Sequence, residues 1–443
     1  MDVLPYLVKA ASVVMFIAVV LCLVGKTVRE WFGWNPFGLA GPAGTGDRLP
    51  LTPAGTRVPS SEVWRGVIVL FAVTRAIVFI AGFAFAALIG EWKPSLYDTF
   101  VSYWREYDTY HYLSIAGTGY HADGDSAITI AFYPLYPALI RLVGFLVPDL
   151  FAAGLIVSNA FLLIGMYALV RLVELDAPGR TAFASAKLMM LYPLSFFFSI
   201  VYTESLFFAL CVLSVYNARK RKWLLAGVFG MLAALTRNQG VLLAVPIAIE
   251  LIETWREHRS SSGSDNGNAK KAPRARELAS GAAAVLLPSF GIFLYLLVNK
   301  LATGDWFRFL FHQKEYWGQT FGFFADNLAV HMYRTLHENR PLFALGVWIP
   351  QMILFFAVHG LLIAMTNKTR LSYWAYSFVY LVVSYAPTGL LSGARYVGGM
   401  FTLYLFMALA ASEWPARRKT FVDAGLVVLL LGYTLLFGLN YVF

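Results

Sequence analysis

Acidic side chains gather beside aromatic ones in one polar stretch of an otherwise apolar chain. Six acidic and two basic residues lie between positions 91 and 127. The acidic residues are Glu91, Asp98, Glu106, Asp108, Asp123 and Asp125. A carboxylate held among aromatic rings can serve as a general base toward a hydroxyl group. Asp108, in WREYDTYHYLSIAGTGY, is the best placed candidate. Its spacing also permits a structural role, either as a helix cap or in an ion pair with Arg105. The composition of the whole stretch is also that of an ordinary solvated loop.

The composition places these residues in a membrane protein. Of 443 residues, 59% are hydrophobic and 14% are charged, whereas about a quarter of the residues of soluble domains are charged. The formal net charge of +10 comes from short basic clusters between apolar segments, which is typical of membrane proteins and not of nucleic-acid binding. Cys22 and Cys211 both lie in apolar runs, and no histidine, cysteine or aspartate cluster has metal-ligand spacing, so neither a disulfide framework nor a metal site is expected.

Apolar runs predict about twelve membrane helices, because a helix needs about 20 residues to cross the bilayer. The predicted spans are 4–24, 62–90, 149–173, 180–198, 200–218, 223–237, 239–254, 279–302, 342–366, 371–391, 396–412 and 421–440. The segments 223–237 and 239–254 are short for a full crossing. The run at 4–24 lacks a basic region before it and a cleavage site after it, which favours a retained membrane helix over a signal peptide.

Basic clusters predict the orientation of these spans. Lys and Arg concentrate at 219–222, 256–276, 368–370 and 417–419, all on one side, which is expected to be cytoplasmic. The acidic stretch and the turns near Asn238 and Ser392 then lie outside. Segments 35–61 and 260–273 are rich in Gly, Pro, Ser or Asn and predict a loop and a flexible cytoplasmic linker, respectively.

Three charged residues stand near the predicted outer ends of membrane helices. Arg237 ends ALTR, Arg395 lies in SGARY, and Glu204 lies in VYTES. An arginine near the end of a membrane helix either extends its side chain to the membrane–water interface or belongs to a binding site. The positive charges of Arg237 and Arg395 would suit the binding of a phosphate group. Glu204 is expected to pair with Arg237 or to contact a substrate. Arg75, within FAVTRAIVF, is expected to bond to a neighbouring helix or to the acidic stretch.

The run around Asp108 has helical spacing. One face would carry Tyr112, Ile115 and Ala116, and another face Tyr107, Tyr110 or His111, Ser114 and Thr118. This pattern predicts an amphipathic helix at the membrane surface.

Five segments resemble, in order, those of the PIG-V family, the second mannosyltransferase of GPI-anchor synthesis and its prokaryotic relatives. YDTYHYLSIAGTGY with AFYPLYPALIR resembles the family's WDxxxFLxIAxxGY and AFFPLFPLLIR, and LYPLSFFFSIVYTESLFFAL its P-x-x-x-F…YSESLF. The family's basic turn and A-x-x-TR-x-x-G-x-x-L helix are similar to ARKRKWLLAGVFGMLAALTRNQGVLLAVP. Its G-D-P-x-x-F…Q-x-x-W-G loop is similar to TGDWFRFLFHQKEYWGQT, and its S-x-x-RY element is similar to SGARYVGGMF. The resemblance covers residues 62–412, with departures at Tyr107, where Trp is usual, and Thr402, where Pro is common.

The resemblance implies an all-α polytopic membrane protein with a GT-C glycosyltransferase fold and a large first non-cytoplasmic loop. It implies an inverting transferase that moves mannose or a related hexose from a polyprenyl- or dolichyl-phosphate donor. It also implies that Asp108 is the catalytic base and that the reaction needs no cofactor and no obligatory metal. The donor-phosphate candidates are Arg237, Arg395, Tyr396, Lys314 and His312. The residues expected to contact the acceptor or support the site are Glu204, Glu106, Tyr112, Tyr202 and His111.

The chain is expected to divide into three parts. Residues 1–61 form an additional N-terminal membrane helix and a cytoplasmic loop, residues 62–412 a catalytic domain with outer loops at 91–148 and 304–341, and residues 413–443 a final membrane helix. The expected location is a prokaryotic cell membrane with the active site on the extracytoplasmic side.

Two other classes of function compete with a transferase. A transporter or flippase of lipid-linked sugars usually shows internal repeats and polar residues at the midplane, and neither is found in the sequence. A structural scaffold does not explain the acidic stretch. The acceptor stays open among a glycolipid, an inositol lipid, a polysaccharide and a protein.

Overall fold

The computed structural model describes residues 3–34, 58–261 and 275–443. Most of the predicted loop at 35–61 and of the predicted linker at 260–273 lies outside these ranges. The described residues form helices and turns without a β-strand. The helices are α1 (Val3–Phe32), α2 (Ser60–Leu88), α3 (Leu96–Trp104), α4 (Asp108–Thr118), α5 (Leu135–Gly144), α6 (Leu150–Val173), α7 (Gly179–Leu191), α8 (Glu204–Arg219), α9 (Trp223–Ala234), α10 (Ala244–Ser261), α11 (Ala275–Thr303), α12 (Arg308–Trp317), α13 (Phe324–His337), α14 (Pro341–Met365), α15 (Leu371–Tyr385), α16 (Gly393–Gly398), α17 (Phe401–Ala411) and α18 (Ala416–Gly438).

Six helices in the described ranges are long and apolar enough to cross a membrane, namely α1, α2, α6, α11, α14 and α18. They confirm a multi-pass, helical membrane protein. The other six predicted spans contain helices of 11 to 18 residues. At 1.5 Å per residue these helices are about 16–27 Å long, less than the thickness of the hydrocarbon core. Twelve crossings are therefore not confirmed.

The centre of the bundle is formed by α8, which is buried along almost its whole length and packs against α6 and α9. Helix α9 in turn packs closely on α11. Gly227 permits this approach, because a Cβ atom there would lie 2.7 Å from the Cα atom of Ala284. Small residues at such crossings let helix backbones approach within a membrane.

Basic clusters that are separated in sequence meet at one end of the bundle. Arg221 forms an ion pair of 2.7 Å with Glu257, and Arg370 forms one of 3.0 Å with Glu250. Arg219 also lies 3.6 Å from Glu250. These contacts bring the clusters near 219, 256 and 370 together, as the topology prediction requires. The cytoplasmic identity of this end stays a prediction.

Arg75 has the structural role predicted for it. Its side chain is buried and donates to the carbonyl oxygens of Met190 (3.2 Å) and Ser195 (2.8 Å) and to the hydroxyl of Ser199 (3.1 Å). Helix α7 ends just before Pro193, so its last carbonyl groups lack helical partners. The guanidinium group supplies a partner for one of them, the carbonyl group of Met190, and complements the negative end of the helix dipole.

Replacing Arg75 with Met should therefore lower the melting temperature of the purified protein by several degrees, because buried carbonyl groups would lose their donors. Arg65→Met on the same helix, at an exposed position, is the matched control and should melt as the wild type does. The measurement is thermal unfolding in detergent followed by size-exclusion chromatography. Equal melting temperatures for the two variants would contradict this role.

Candidate active site

The predicted amphipathic helix exists as α4, with Asp108 as its first residue. Tyr112, Ile115 and Ala116 are buried and Thr118 is exposed, as the helical spacing predicted. A carboxylate in the first turn interacts favourably with the positive end of the helix dipole. The Asp108 side chain is 24% exposed, so that a substrate can reach it.

The residue before Asp108 has an unusual backbone conformation. Tyr107 has a φ angle of 50° and a ψ angle of −116°, in a region that residues other than glycine rarely occupy. Its hydroxyl group donates to the side-chain oxygen of Asn440 at 2.8 Å. Its ring also packs against Phe443, with 4.7 Å between the ring centroids. The residues that follow α18 thus hold the turn that sets the direction of Asp108.

Asp108 belongs to a connected cluster of four charged side chains. Arg395 donates through Nη2 to Oδ2 of Asp108 at 2.8 Å, and its Nε lies 3.1 Å from Oε1 of Glu204. Arg237 donates through Nη1 to the same oxygen of Glu204 at 2.7 Å. Two carboxylates and two guanidinium groups balance in charge, which reduces the cost of burying them.

The structure decides between alternatives that the sequence left open. Asp108 pairs with Arg395, whereas Arg105 lies over the ring of Tyr110 with 5.5 Å between its Cζ atom and the ring centroid. Arg237 and Arg395 are 9% and 6% exposed, so neither extends to the interface. The predicted pairing of Glu204 with Arg237 is confirmed.

Aromatic rings enclose the two arginines. The Cζ atom of Arg395 lies 5.1 to 5.4 Å from the ring centroids of Phe197, Tyr202 and Tyr396. The Cζ atom of Arg237 lies 4.5 Å from the ring centroid of Tyr396. Cation–π contacts of this kind fix each guanidinium group without using its N–H donors.

Three of the residues expected on the acceptor side, Tyr202, Glu106 and Tyr112, lie in α4 or in segments that contact it. The hydroxyl group of Tyr202 donates to the carbonyl oxygen of Glu106 at 3.1 Å, which ties the start of α8 to the turn before α4. The ring of Tyr112 meets the ring of Tyr202 edge-on, with 6.4 Å between centroids. Burial, with a contribution from Glu91, raises the pKa of the Glu106 carboxyl group.

His111 is half-buried in α4. Its ring stacks on Phe132, with 4.5 Å between centroids. Burial lowers the pKa of His111, and the charge of Asp108 partly opposes this effect. The imidazole is therefore neutral near pH 7.

The two candidates from the second outer loop stand apart from the charged cluster. His312 is buried in α12, where it stacks on Tyr316, and Lys314 is exposed. In the described part of the chain, no hydrogen bond or ion pair joins either side chain to Asp108 or to Arg395. Their proposed contact with a donor phosphate stays a prediction.

Sequence reasoning missed two residues of this site. Phe197 lies in the run SFFFSI and has no feature that separates it from its neighbours, although it contacts Arg395. Asn440 is the one amide side chain in LNYVF, and an amide at the end of an apolar span was an available signal. Within residues 3–34, 58–261 and 275–443, no group of three or more His, Cys, Asp or Glu residues is placed to hold a metal ion.

No protein-family model and no curated protein matches the chain. A similar solved structure is the archaeal oligosaccharyltransferase AglB from Archaeoglobus fulgidus in complex with an inhibitory peptide and a dolichol-phosphate. It shares 12% sequence identity with this chain, at a TM-score of 0.38. The alignment covers 75% of this chain and 51% of that chain. Another is the Archaeoglobus fulgidus oligosaccharyltransferase tethered with an acceptor peptide, with 12% identity, a TM-score of 0.36, and coverage of 83% and 55%. The chain spans about half the length of these oligosaccharyltransferases.

Proposed function

We propose that the chain is an inverting glycosyltransferase. It moves a hexose such as mannose from a polyprenyl- or dolichyl-phosphate donor to an acceptor hydroxyl group on the non-cytoplasmic face of the membrane. The observation that carries this proposal is the convergence of Asp108, Glu204, Arg237 and Arg395 in one connected cluster. Each comes from a different one of the five segments that resemble the PIG-V family, so the charged residues of four separate motifs meet at one place.

The geometry around Asp108 suits a general base. Arg395 holds Oδ2, while Oδ1 accepts no hydrogen bond from any residue in the described ranges. An acceptor hydroxyl group can donate to Oδ1 and transfer its proton there. The hydroxyl oxygen forms a bond to the anomeric carbon as the bond from that carbon to the phosphate oxygen breaks. The lipid monophosphate leaves with the electron pair, and this single displacement inverts the anomeric configuration.

The two arginines suit the leaving group. Negative charge grows on the phosphate during the displacement, and fixed cations stabilise that charge in the transition state. Arg237 uses one hydrogen bond to Glu204, whereas a guanidinium group has five N–H donors. Glu204 holds the two like-charged groups near each other before the donor arrives.

The test is a transfer assay with the purified full-length protein, a radiolabelled polyprenyl-phosphate mannose and total membrane lipids and glycans as acceptors. The proposal expects label to move into an acceptor and lipid monophosphate to be released in equal amounts. In proteoliposomes, a transporter or flippase would move the intact donor between leaflets without breaking the sugar–phosphate bond. Translocation without bond cleavage would replace the proposed function with that alternative.

Asn440 should influence transfer through Tyr107. In Asn440→Gly the hydrogen bond to Tyr107 is lost, while glycine tolerates the positive φ angle of 62° at this position. Because one such bond is worth about 1 kcal/mol, the transfer rate should fall by roughly fivefold with donor affinity unchanged. Steady-state kinetics and a donor-binding assay measure the two quantities. An unchanged rate would show that the contact does not position Asp108.

A further inference from the structure

A cavity of about 530 Å³ lies between α2, α7, α14, α17 and the start of α18, far from the charged cluster around Asp108. Asp176, three residues before α7, accepts a hydrogen bond of 2.7 Å from Arg219 at the end of α8. Helix α8 begins at Glu204 in the charged cluster, and its 16 residues extend over about 24 Å. The start of α7 therefore lies at the opposite end of the bundle, where the basic clusters meet.

The charged and apolar residues of the lining are separated along the helices. Arg180 lies at the start of α7, and Ala184 and Leu188 follow at intervals of four, on the same face of the helix. Leu188 is thus about 12 Å deeper in the bundle than Arg180. Lys419 lies near the start of α18, whereas α2, α14 and α17 contribute mainly apolar side chains, including Leu70, Leu361 and Met407. One end of the cavity is therefore cationic, and most of its interior is apolar.

The positive charge at this end is not neutralised by the protein. Lys187 forms an ion pair of 2.5 Å with Asp423, so these two lining residues balance each other. Arg180 is exposed and forms no ion pair with any residue that the structure describes. Lys419 donates to a neutral group, the carbonyl oxygen of Ser412, at 2.9 Å. Two cations of the lining are therefore available to an anionic ligand.

Trp414 indicates the depth of the cationic end in the membrane. It lies in the short connection between α17 and α18 and lines the cavity. The Cζ atom of Arg418 lies 4.0 Å from the centroid of its ring. Tryptophan and arginine side chains concentrate where membrane helices meet the lipid head groups. The cationic end therefore lies at the level of the head groups, and the apolar interior lies at the level of the acyl chains.

We propose that this cavity binds an anionic phospholipid from the bilayer leaflet at this end of the bundle. The phosphate lies at Arg180 and Lys419, and an acyl chain fills the interior against Leu188 and Leu361. A zwitterionic phospholipid fits less well, because it carries a cationic group beside its phosphate. A soluble phosphate compound would leave the apolar interior unfilled. The proposal is independent of the transferase function, whose charged cluster lies at the other end of α8.

A lipid at this position would hold α18 against the bundle. The buried residues of α18 are Leu430, Thr434 and Phe437, and all three lie in its second half. The ion pair between Asp423 and Lys187 links the first half to α7. A lipid that contacts α7, α17 and α18 supplies another link, and a ligand that binds only the folded protein stabilises it.

Native mass spectrometry of the purified full-length protein in a non-ionic detergent tests the binding. The probes are dioleoylphosphatidylglycerol, which is anionic, and dioleoylphosphatidylcholine, which is zwitterionic. The wild type should bind the anionic probe at least about tenfold more tightly. Arg180→Gln and Lys419→Gln should each weaken its binding by about fivefold, and the double variant should weaken it by about 25-fold. Arg417→Gln, which removes an exposed charge of the same basic cluster outside the lining, should bind as the wild type does.

A second variant and a second measurement test the apolar interior. Ala184→Phe places a ring in the cavity and leaves every charge unchanged, so it should also weaken binding at least about tenfold. Phosphatidylglycerol should raise the melting temperature of the wild type by several degrees relative to phosphatidylcholine. It should not do so for the double variant. Arg180 is exposed and unpaired in the described residues, so its replacement leaves the fold intact and its result can be interpreted.

Each of three results would overturn the assignment. Equal binding of the two phospholipids would show that the head-group charge is not recognised. Equal weakening by Arg180→Gln and Arg417→Gln would indicate diffuse attraction to a basic surface. Displacement of phosphatidylglycerol by glycerol 3-phosphate, or normal binding by Ala184→Phe, would indicate a site for a soluble phosphate compound. None of these results depends on sugar transfer, so they leave the proposed transferase function untouched.

Discussion

Asp108→Asn is expected to lower the rate of sugar transfer by roughly 10²–10⁴-fold, the usual contribution of a general base. An amide has the shape of the carboxylate but cannot take a proton from the acceptor. The side-chain oxygen of Asn can still accept the hydrogen bond from Arg395, so the buried arginine keeps a partner. Expression and donor affinity should therefore stay at wild-type levels while transfer is lost.

The matched control for this variant is Asp123→Asn, which removes an exposed carboxylate from the same outer loop. It should transfer sugar at the wild-type rate, because Asp123 lies outside the charged cluster. Initial rates at saturating donor and acceptor, with donor binding measured separately, distinguish the two variants. Full activity in Asp108→Asn would remove Asp108 from the mechanism.

The sequence predicted well those features that depend on local composition. Helices such as α1 and α2 follow from long apolar runs, because only such runs can cross the hydrocarbon core. The same rule overestimated the number of full-length membrane helices, because segments such as 180–198 contain a helix break that hydropathy does not detect. Pro193 ends α7 there, and the residues that follow form a short 3₁₀ turn.

The partners of the charged residues depend on tertiary structure and were harder to predict. Arg105 is three positions before Asp108, a spacing that forms ion pairs within one helix. The chain instead turns at Tyr107, so Arg105 ends α3 while Asp108 begins α4. The actual partner, Arg395, is 287 positions away. No local pattern could select it, although its charge and its predicted depth made it a candidate.

The second outer loop shows a different limit. Its residues mix aromatic, polar and charged types over 304–341, and they form α12 and α13. Helix α12 packs on the turn at Asp125–Ala131, whereas α13 packs along the membrane helix α1. The sequence directed attention to His312 and Lys314 because their groups can bind phosphate. Asn327 and the carbonyl groups of Tyr385 and Ala386 become neighbours only when the turn after α15 packs against α13.

Arg395→Ala should weaken binding of the lipid-phosphate donor by about 10- to 100-fold, since hydrogen bonds to charged groups contribute about 1.5–3 kcal/mol. Loss of this side chain also leaves Glu204 and Asp108 with fewer partners, and an uncompensated buried carboxylate destabilises a fold. A weaker donor complex could then come from partial unfolding alone. The experiment therefore needs a variant that disturbs the same cluster but keeps both guanidinium groups.

Glu204→Gln is that variant. It weakens the contacts of Glu204 with Arg237 and Arg395, so it should lower the melting temperature as Arg395→Ala does. Both arginines stay in place and are less neutralised, so donor affinity should be equal to that of the wild type or higher. Binding of radiolabelled polyprenyl-phosphate mannose, measured beside thermal unfolding, separates the two effects. If donor affinity falls equally in both variants, the cluster only supports the fold, and if Arg395→Ala binds donor normally, Arg395 does not contact the phosphate.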